Sequence, residues 1–333
     1  MKLKTDNPAT SEQIKPLCAD DLDAVIAIDA ANSGVSRRGY FEKRLAAATD
    51  RPRDYVYSGL HNDGKLAGFA FAKLVEGEFG KPGASASLDA IGVDPACRGK
   101  GAGHRLLGAV CEVLKHKGVE ELTSQVGWAN RALLGFLGDE GFALDSRLVL
   151  IRSTDEMPVA YAGTATLQGP REIDHSSPHG DDFAALSRDR VPVRSMNGDD
   201  LKSIISIDAR NSGRDRTAYY ERKQHEVMHA SGVRVSLVAE LEGYPVGFIM
   251  ARMDFGEFGL AGREAVMDTI GVDPGYRGHG VGHALMSQLM ANLSVLRVET
   301  VRTEVEWNAV DIIGFLDSAG FVPAQRVTVC RKL

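Results

Sequence analysis

The sequence predicts an α/β protein made of two tandem copies of one domain, each a mixed, mostly antiparallel sheet flanked by helices. Three observations carry this. One constant shift relates landmarks along the whole chain. Each copy interleaves short apolar strand segments with amphipathic helical ones. Each copy also holds, mid-way, a strand that runs into a glycine-rich loop and then a helix.

The repeat comes first because a missed repeat misreads the whole fold. Ile91-Gly-Val-Asp-Pro95 recurs as Ile270-Gly-Val-Asp-Pro274, a shift of 179 (270 − 91). The same shift links Ile28-Asp-Ala-Ala-Asn-Ser-Gly34 to Ile207-Asp-Ala-Arg-Asn-Ser-Gly213, Gly77-Glu-Phe-Gly80 to Gly256-Glu-Phe-Gly259, and Trp128 to Trp307. Gly141-Phe142 and Gly320-Phe321 follow it too. A period this long describes complete domains rather than solenoid units. The expected boundaries are residues 12–153 and 190–333, joined by a Gly-, Pro-, Ser-, Asp- and His-rich linker over 154–189.

Composition sets the class. With 333 residues, 44% hydrophobic and 25% charged, both copies can bury a core. A net charge of −6 tells against a nucleic-acid binder, which needs a basic face. Cys18, Cys97, Cys111 and Cys330 share no metal-ligand spacing, and the nine histidines form no H-E-x-x-H pattern, so no metal is expected. The polar start, without an apolar segment, and the absence of a membrane-length apolar run lead us to expect a cytoplasmic protein without membrane contact.

Within the first copy, Ile14–Leu17 opens a strand, and Asp20-Asp21 caps a helix with Leu22, Val25, Ile26 and Ile28 on one face. A second helix is expected over Tyr40–Ala48. Tyr55–Leu60 and Leu66–Leu74 form a hairpin around His61-Asn-Asp-Gly64. Ser85–Val93 is a strand ended by Asp94-Pro95. After the glycine loop comes a helix bearing Leu106, Leu107, Val110 and Leu114, matched by Leu285, Met286, Leu289 and Leu293 in the second copy. Glu121–Val126 is a strand and Arg131–Leu137 a short helix. From Phe142 onward the chain is expected to return as hairpin strands. Trp128 and Trp307 are expected to be structural.

The loops hold the chemical signal. They are Arg98-Gly-Lys-Gly-Ala-Gly103 and Arg277-Gly-His-Gly-Val-Gly282. Glycine lets backbone N–H groups approach a ligand, and a helix N-terminus adds donors and a positive dipole end, so the pair suits a pyrophosphate. The spacing is not the G-x-G-x-x-G of dinucleotide folds, and no G-K-[S/T] makes a P-loop. A tight turn without a ligand is the bland alternative, and two loops with matching glycines tell against it.

Val-Asp-Pro-x-x-Arg-Gly-x-Gly-x-Gly, between a strand and an amphipathic helix, resembles the signature of the GNAT superfamily of N-acetyltransferases. That pattern is [Arg/Gln]-x-x-Gly-x-[Gly/Ala]. Arg98, Gly101 and Gly103 match it, as do Arg277, Gly280 and Gly282. The Gly-Phe pairs resemble the family's usual end of the last helix. The resemblance implies two acyl-CoA N-acyltransferase domains that use acetyl-CoA as donor and an amine as acceptor. It assigns cofactor binding to Ile91, Gly92, Val93, Arg98, Gly99, Lys100, Gly101, Ala102 and Gly103. In the second copy the assignment falls on Ile270, Gly271, Val272, Arg277, Gly278, His279, Gly280, Val281 and Gly282.

The family often places a glutamate base thirteen residues before the loop arginine. That position is Glu264 in the second copy (277 − 13) and Ser85 in the first, so the second copy is the expected catalytic one. Asp89 and Asp268, four residues further and on the same strand face, are alternative bases or acceptor-binding groups. The family's tyrosine acid falls on Leu137 and Leu316, neither of which can donate a proton. Other residues have open readings. Asn32-Ser-Gly34 and Asn211-Ser-Gly213 are helix ends or acceptor-site rims. Tyr40, Phe41, Tyr219 and Tyr220 are cleft lining or core. Glu78 and Glu257 are acceptor ligands or turn residues, and Tyr276 is a packing residue. The expected function is N-acetylation of a small-molecule or peptide amine, with a non-catalytic acyl-CoA-binding protein as the alternative. The expected assembly is a monomer of pseudo-dimeric tandem domains, or a homodimer.

Overall fold

The structure is a computed structural model that describes residues 12–80, 83–154, 190–229, 234–254, 257–259 and 262–333. The expected linker lies outside these residues except for Thr154. The first copy runs β1 (Glu12–Pro16), α1 (Leu22–Ser33), α2 (Arg38–Asp50), β2 (Tyr55–Asn62), β3 (Lys65–Glu76), β4 (Ala84–Val93), α3 (Ala102–His116), β5 (Glu121–Gly127), α4 (Arg131–Asp139), β6 (Ala143–Leu144) and β7 (Arg147–Ser153). The second repeats this order: β8 (Val193–Ser195), α5 (Leu201–Ser212), α6 (Thr217–His229), β9 (Arg234–Leu241), β10 (Tyr244–Asp254), β11 (Glu264–Val272), α7 (Val281–Val295), β12 (Thr300–Glu306), α8 (Val310–Ser318), β13 (Val322–Pro323) and β14 (Arg326–Lys332).

Local chemistry explains the elements. The β2–β3 turn has positive φ at Asp63 (48°) and Gly64 (80°), the geometry that matches strand twist in two-residue hairpins. Helix α1 ends with Gly34 at φ 76°, the left-handed stop expected of Asn-Ser-Gly. One face of the first sheet packs on α3 through Leu107, Val110 and Leu114, and the other packs on α1 and α2 through Val25, Phe41, Phe69 and Phe71. Tyr40, Phe41, Tyr219 and Tyr220 are all buried core residues. None of the described helices is long and apolar enough to cross a membrane.

Both sheets have seven strands, and each borrows one from the other copy. Their orders are β1-β2-β3-β4-β5-β14-β6 and β13-β7-β12-β11-β10-β9-β8. Strand β14 pairs with β5 from Arg326↔Gly127 to Lys332↔Glu121, and β7 pairs with β12 from Arg147↔Glu306 to Ser153↔Thr300. The expected hairpin after Phe142 is therefore corrected: β6 pairs with β14, and β7 with β13. The physical reason lies in the connections. Asp145-Ser146 and Ala324-Gln325 hold no glycine and no positive φ, so neither makes a tight hairpin turn. The chain crosses to the facing sheet instead.

Trp128 and Trp307 also differ from expectation. They lie just past β5 and β12, 56% and 68% exposed, so neither ring belongs to the core.

Candidate functional site

Each glycine loop joins the end of a strand to a helix. Asp94 Oδ1 accepts from the Ala96 N–H at 2.8 Å and Asp273 Oδ1 from the Gly275 N–H at 3.0 Å, which turns the chain after β4 and β11. Gly99 and Gly101 then adopt φ 75° and 73°, and Gly278 and Gly280 adopt 77° and 80°. These left-handed positions require glycine, and a Cβ at Gly99 or Gly278 would meet nothing within 4 Å. The loop's outer side is therefore open to a ligand. The helices begin at Ala102 and Val281, so Ala102, Gly103, Val281 and Gly282 belong to the first helical turn rather than to the loop. Helix-start N–H groups have no intrahelical acceptor and can hold an anion. Gly103 and Gly282 serve packing as well: a Cβ there would lie 3.1 and 2.9 Å from the rings of Phe136 and Phe315.

The strands before the loops part from their neighbours. β4 pairs with β5 only from Ser85↔Glu121 to Ser87↔Thr123, and β11 with β12 only from Glu264↔Thr300 to Val266↔Arg302. At the parting point Ser124 Oγ donates to Leu88 O and Thr303 Oγ1 to Met267 O, both at 2.8 Å, so a hydroxyl satisfies the carbonyl where the ladder stops. Ile91–Val93 and Ile270–Val272 run on without a partner on the β5 or β12 side. On the other side the register slips: Phe71↔Ala90 is followed by Ala72↔Leu88, and Met250↔Thr269 by Ala251↔Met267. The residues left over in these bulges are Asp89 and Asp268. A bulge re-aims a side chain, and these two point carboxylates from the sheet face.

A repeated asparagine locks the gap. Asn32 Nδ2 donates to Val93 O at 3.2 Å, and Arg98 donates to Asn32 Oδ1. Asn211 Nδ2 donates to Val272 O at 2.9 Å, and Arg277 Nη2 donates to Asn211 Oδ1 at 2.5 Å. Helix terminus, strand end and loop arginine thus form one unit in each copy. The Asn-Ser-Gly repeat carried the signal, but from sequence it reads as a helix end or an acceptor-site rim, not as a clamp between strand end and loop arginine.

The four candidate positions Glu264, Ser85, Asp268 and Asp89 sit in different settings. Glu264 is buried, and Arg302, itself 1% exposed, donates Nε to it at 3.0 Å and lies 3.5 Å from Glu304. Asp268 Oδ2 is 2.6 Å from Lys223 Nζ on α6, and the same ammonium is 2.8 Å from Glu78 Oε1 of the first copy. Asp89 is held by Arg44 at 3.3 Å and accepts from Ser87 Oγ at 2.7 Å. Ser85 Oγ donates to Val75 O at 3.1 Å. Burial opposes the Lys223 charge, but Asp268 and Glu78 outweigh it and push its pKa up. Burial likewise opposes the Glu78 anion, and Lys223 and Arg252 reverse this, holding it well below the usual carboxylate range. Leu137 and Leu316 are buried.

Glu78 reaches Lys223 because the Gly77-Glu-Phe-Gly80 turn crosses the interface, as Glu257–Gly259 of the second copy does in the other direction. Phe79 and Phe258 each take φ 52°, a costly conformation for a non-glycine residue. Arginines across the interface hold the carbonyls: from the facing sheets Arg147 donates to Phe79 O at 3.5 Å and Arg326 to Phe258 O at 3.3 Å, and from the segment between α5 and α6 Arg214 donates to Gly80 O at 3.4 Å and Arg216 to Gly77 O. Among the described residues no cluster of His, Cys, Asp and Glu suits a metal ion.

Comparison with known proteins follows the same lines. The model of the acetyltransferase (GNAT) family matches residues 24–142 and 200–321. No curated protein matches. A tandem GNAT protein from the clavulanic acid biosynthesis pathway shares 17% identity and a TM-score of 0.63, with 97% of this chain and 98% of that one covered. A GCN5-related N-acetyltransferase from Sphaerobacter thermophilus shares 16% identity and a TM-score of 0.59, covering 96% and 95%. A glucosamine N-acetyltransferase region of a fungal multi-domain β-N-acetylglucosaminidase gives 15% identity and a TM-score of 0.64; 96% of this chain is covered, and it spans 38% of that protein. At these identities the likeness is one of fold.

Proposed function

Because the chain belongs to the acetyltransferase (GNAT) family, we propose that it moves an acetyl group from acetyl-CoA to a primary amine of a small molecule or peptide, mainly in its C-terminal copy. The observation that carries this is the coincidence, in each copy, of a ladder that stops short with a glycine-lined helix N-terminus. Donors at the helix start suit the pyrophosphate, and the unpaired stretch Ile270–Val272 suits the pantetheine amides. A free N–H on that stretch would stabilise the oxyanion as the amine attacks the thioester carbon. Glu264, or Asp268 in its place, then accepts the amine's one proton, directly or through water. The first copy offers Asp89 alone, since the Ser85 hydroxyl is no base. The leaving thiolate takes its proton from solvent, because leucine occupies both acid positions. We read the chain as a monomer whose halves form a pseudo-dimer.

Calorimetric titration of the chain with acetyl-CoA tests the cradle, with two sites expected. Arg277→Ala is expected to weaken one site by about ten-fold or more, the worth of one charge-assisted hydrogen bond. Unchanged affinity would remove Arg277 from the cradle. Thiol release in the presence of an amine panel tests turnover. One observation favours a second reading, in which acetyl-CoA is held without transfer: Glu264, Asp268 and Asp89 are all committed to cations. Stoichiometric binding with no thiol release across the panel would favour it.

A further inference from the structure

Between the two sheets lies a chamber whose wall is shared. Lys73, Ser87, Asp89, Gln125 and Glu78 come from the first copy, and Arg252, Arg302 and Glu304 from the second. Thr328, on the exchanged strand β14, completes it. Gln125 and Thr328 in this wall each have a buried polar atom without a partner. Gln125 is 3% exposed, and its Nε2 donates to Glu304 Oε1 at 2.5 Å; a carboxylate only accepts, so the amide orientation follows and Oε1 is left with no donor. Thr328 is also 3% exposed, and its hydroxyl has no partner. The two face each other in register across β5 and β14. An unmet buried polar atom is costly, and native proteins keep few without a ligand or water to meet them.

The third feature is a cation. Among the described residues Lys73 has no ion-pair partner within 4.0 Å, although Arg44, Arg147, Arg252 and Arg302 around the chamber are each paired with a carboxylate. Burial, then the nearby Arg252, pull its pKa down to about 8, against the opposing pull of Glu78. An anion placed beside it would reverse that shift.

We propose that this chamber is a binding site for a small polar molecule carrying a carboxylate or phosphate and a hydrogen-bond donor, the anion meeting Lys73 Nζ and the donor meeting Gln125 Oε1 beside the Thr328 hydroxyl. Such a molecule would also touch Glu78, and through Lys223 would bear on Asp268. The site does not depend on which copy transfers acetyl groups, and its ligand is either the acceptor itself or an effector of it.

The test is calorimetry on the full chain at pH 8 with three probes: β-alanine (amine and carboxylate), propionate (carboxylate alone) and propylamine (amine alone). β-Alanine is expected to bind tightest and propylamine not at all. Two buffers of different ionisation enthalpy should report uptake of about half a proton, because Lys73 is about half protonated at a pH equal to its pKa. Lys73→Met should abolish that uptake and weaken β-alanine at least ten-fold. Thr328→Val, nearly isosteric, should weaken it several-fold with an unchanged melting curve. Binding of propylamine as tight as that of β-alanine, no probe binding at millimolar concentration, or binding indifferent to both substitutions would overturn the proposal. Addition of acetyl-CoA separates the two sources: N-acetyl-β-alanine marks the acceptor, and binding without product marks the effector.

Discussion

Replacing Lys223 with methionine is expected to destabilise the protein by about 3–5 kcal/mol, the cost of leaving buried charge uncompensated. Its ammonium is the shared partner of Asp268 at 2.6 Å and Glu78 at 2.8 Å, and all three side chains are at least nine-tenths buried. Methionine fills the space but leaves two anions facing each other, with Arg252, 3.7 Å from Glu78, and the more distant Lys73 as partial compensation. Neutralising the anions as well, in the triple variant Lys223→Met, Glu78→Gln, Asp268→Asn, should recover part of the loss. Urea denaturation of the three proteins checks this. A single variant within 1 kcal/mol of the parent would mean that water or a rearranged arginine replaces the lysine.

The same cluster sets a pH window. The folded pKa of Lys223 is raised above its ordinary 10.5, so its contribution is fully present below that value and fades as pH rises through the folded pKa. That of Glu78 is depressed below its ordinary 4.5, so its contribution is present above that value and is lost as pH falls through the folded pKa. Between about pH 4.5 and 10.5 Lys223 and Glu78 therefore add no pH dependence of their own.

Glu264→Gln is expected to lower kcat by about 10²–10⁴-fold, the usual worth of a positioned general base, with little change in KM for acetyl-CoA. Glutamine preserves the volume beside Arg302, which keeps Glu304 at 3.5 Å, so the cradle on β11 and α7 should stay intact. Steady-state rates with any amine accepted by the parent chain decide this. Equal rates for Glu264→Gln and parent would move the base to Asp268, and Asp268→Asn would then show the loss.

Much of this site was legible in the residues because its parts are local. A left-handed loop before a helix declares itself as spaced glycines, and Gly99, Gly101, Gly278 and Gly280 take the positive φ that such a loop needs. Glu264, Asp89 and Asp268 were singled out by position along the strand before each loop. Their partners were not, because Arg302, Lys223 and Arg44 arrive from other elements. The helix starts at Ala102 and Val281 were placed too late, since Gly103 and Gly282 read as loop when their packing against Phe136 and Phe315 is unknown.

By itself the sequence determined the tandem repeat, the order of strands and helices, the two glycine loops that open helices and the family, because each rests on spacing within one segment. Tertiary structure alone decided how the copies join. Strands β7 and β14 occupy equivalent positions in the repeat and carry similar patterns, Arg-Leu-Val-Leu-Ile-Arg-Ser and Arg-Val-Thr-Val-Cys-Arg-Lys. Either could close either sheet, so no local preference separates exchange from return. The choice falls to the short glycine-free connections at Asp145-Ser146 and Ala324-Gln325, and to the crossing turn that seats Glu78 against Lys223.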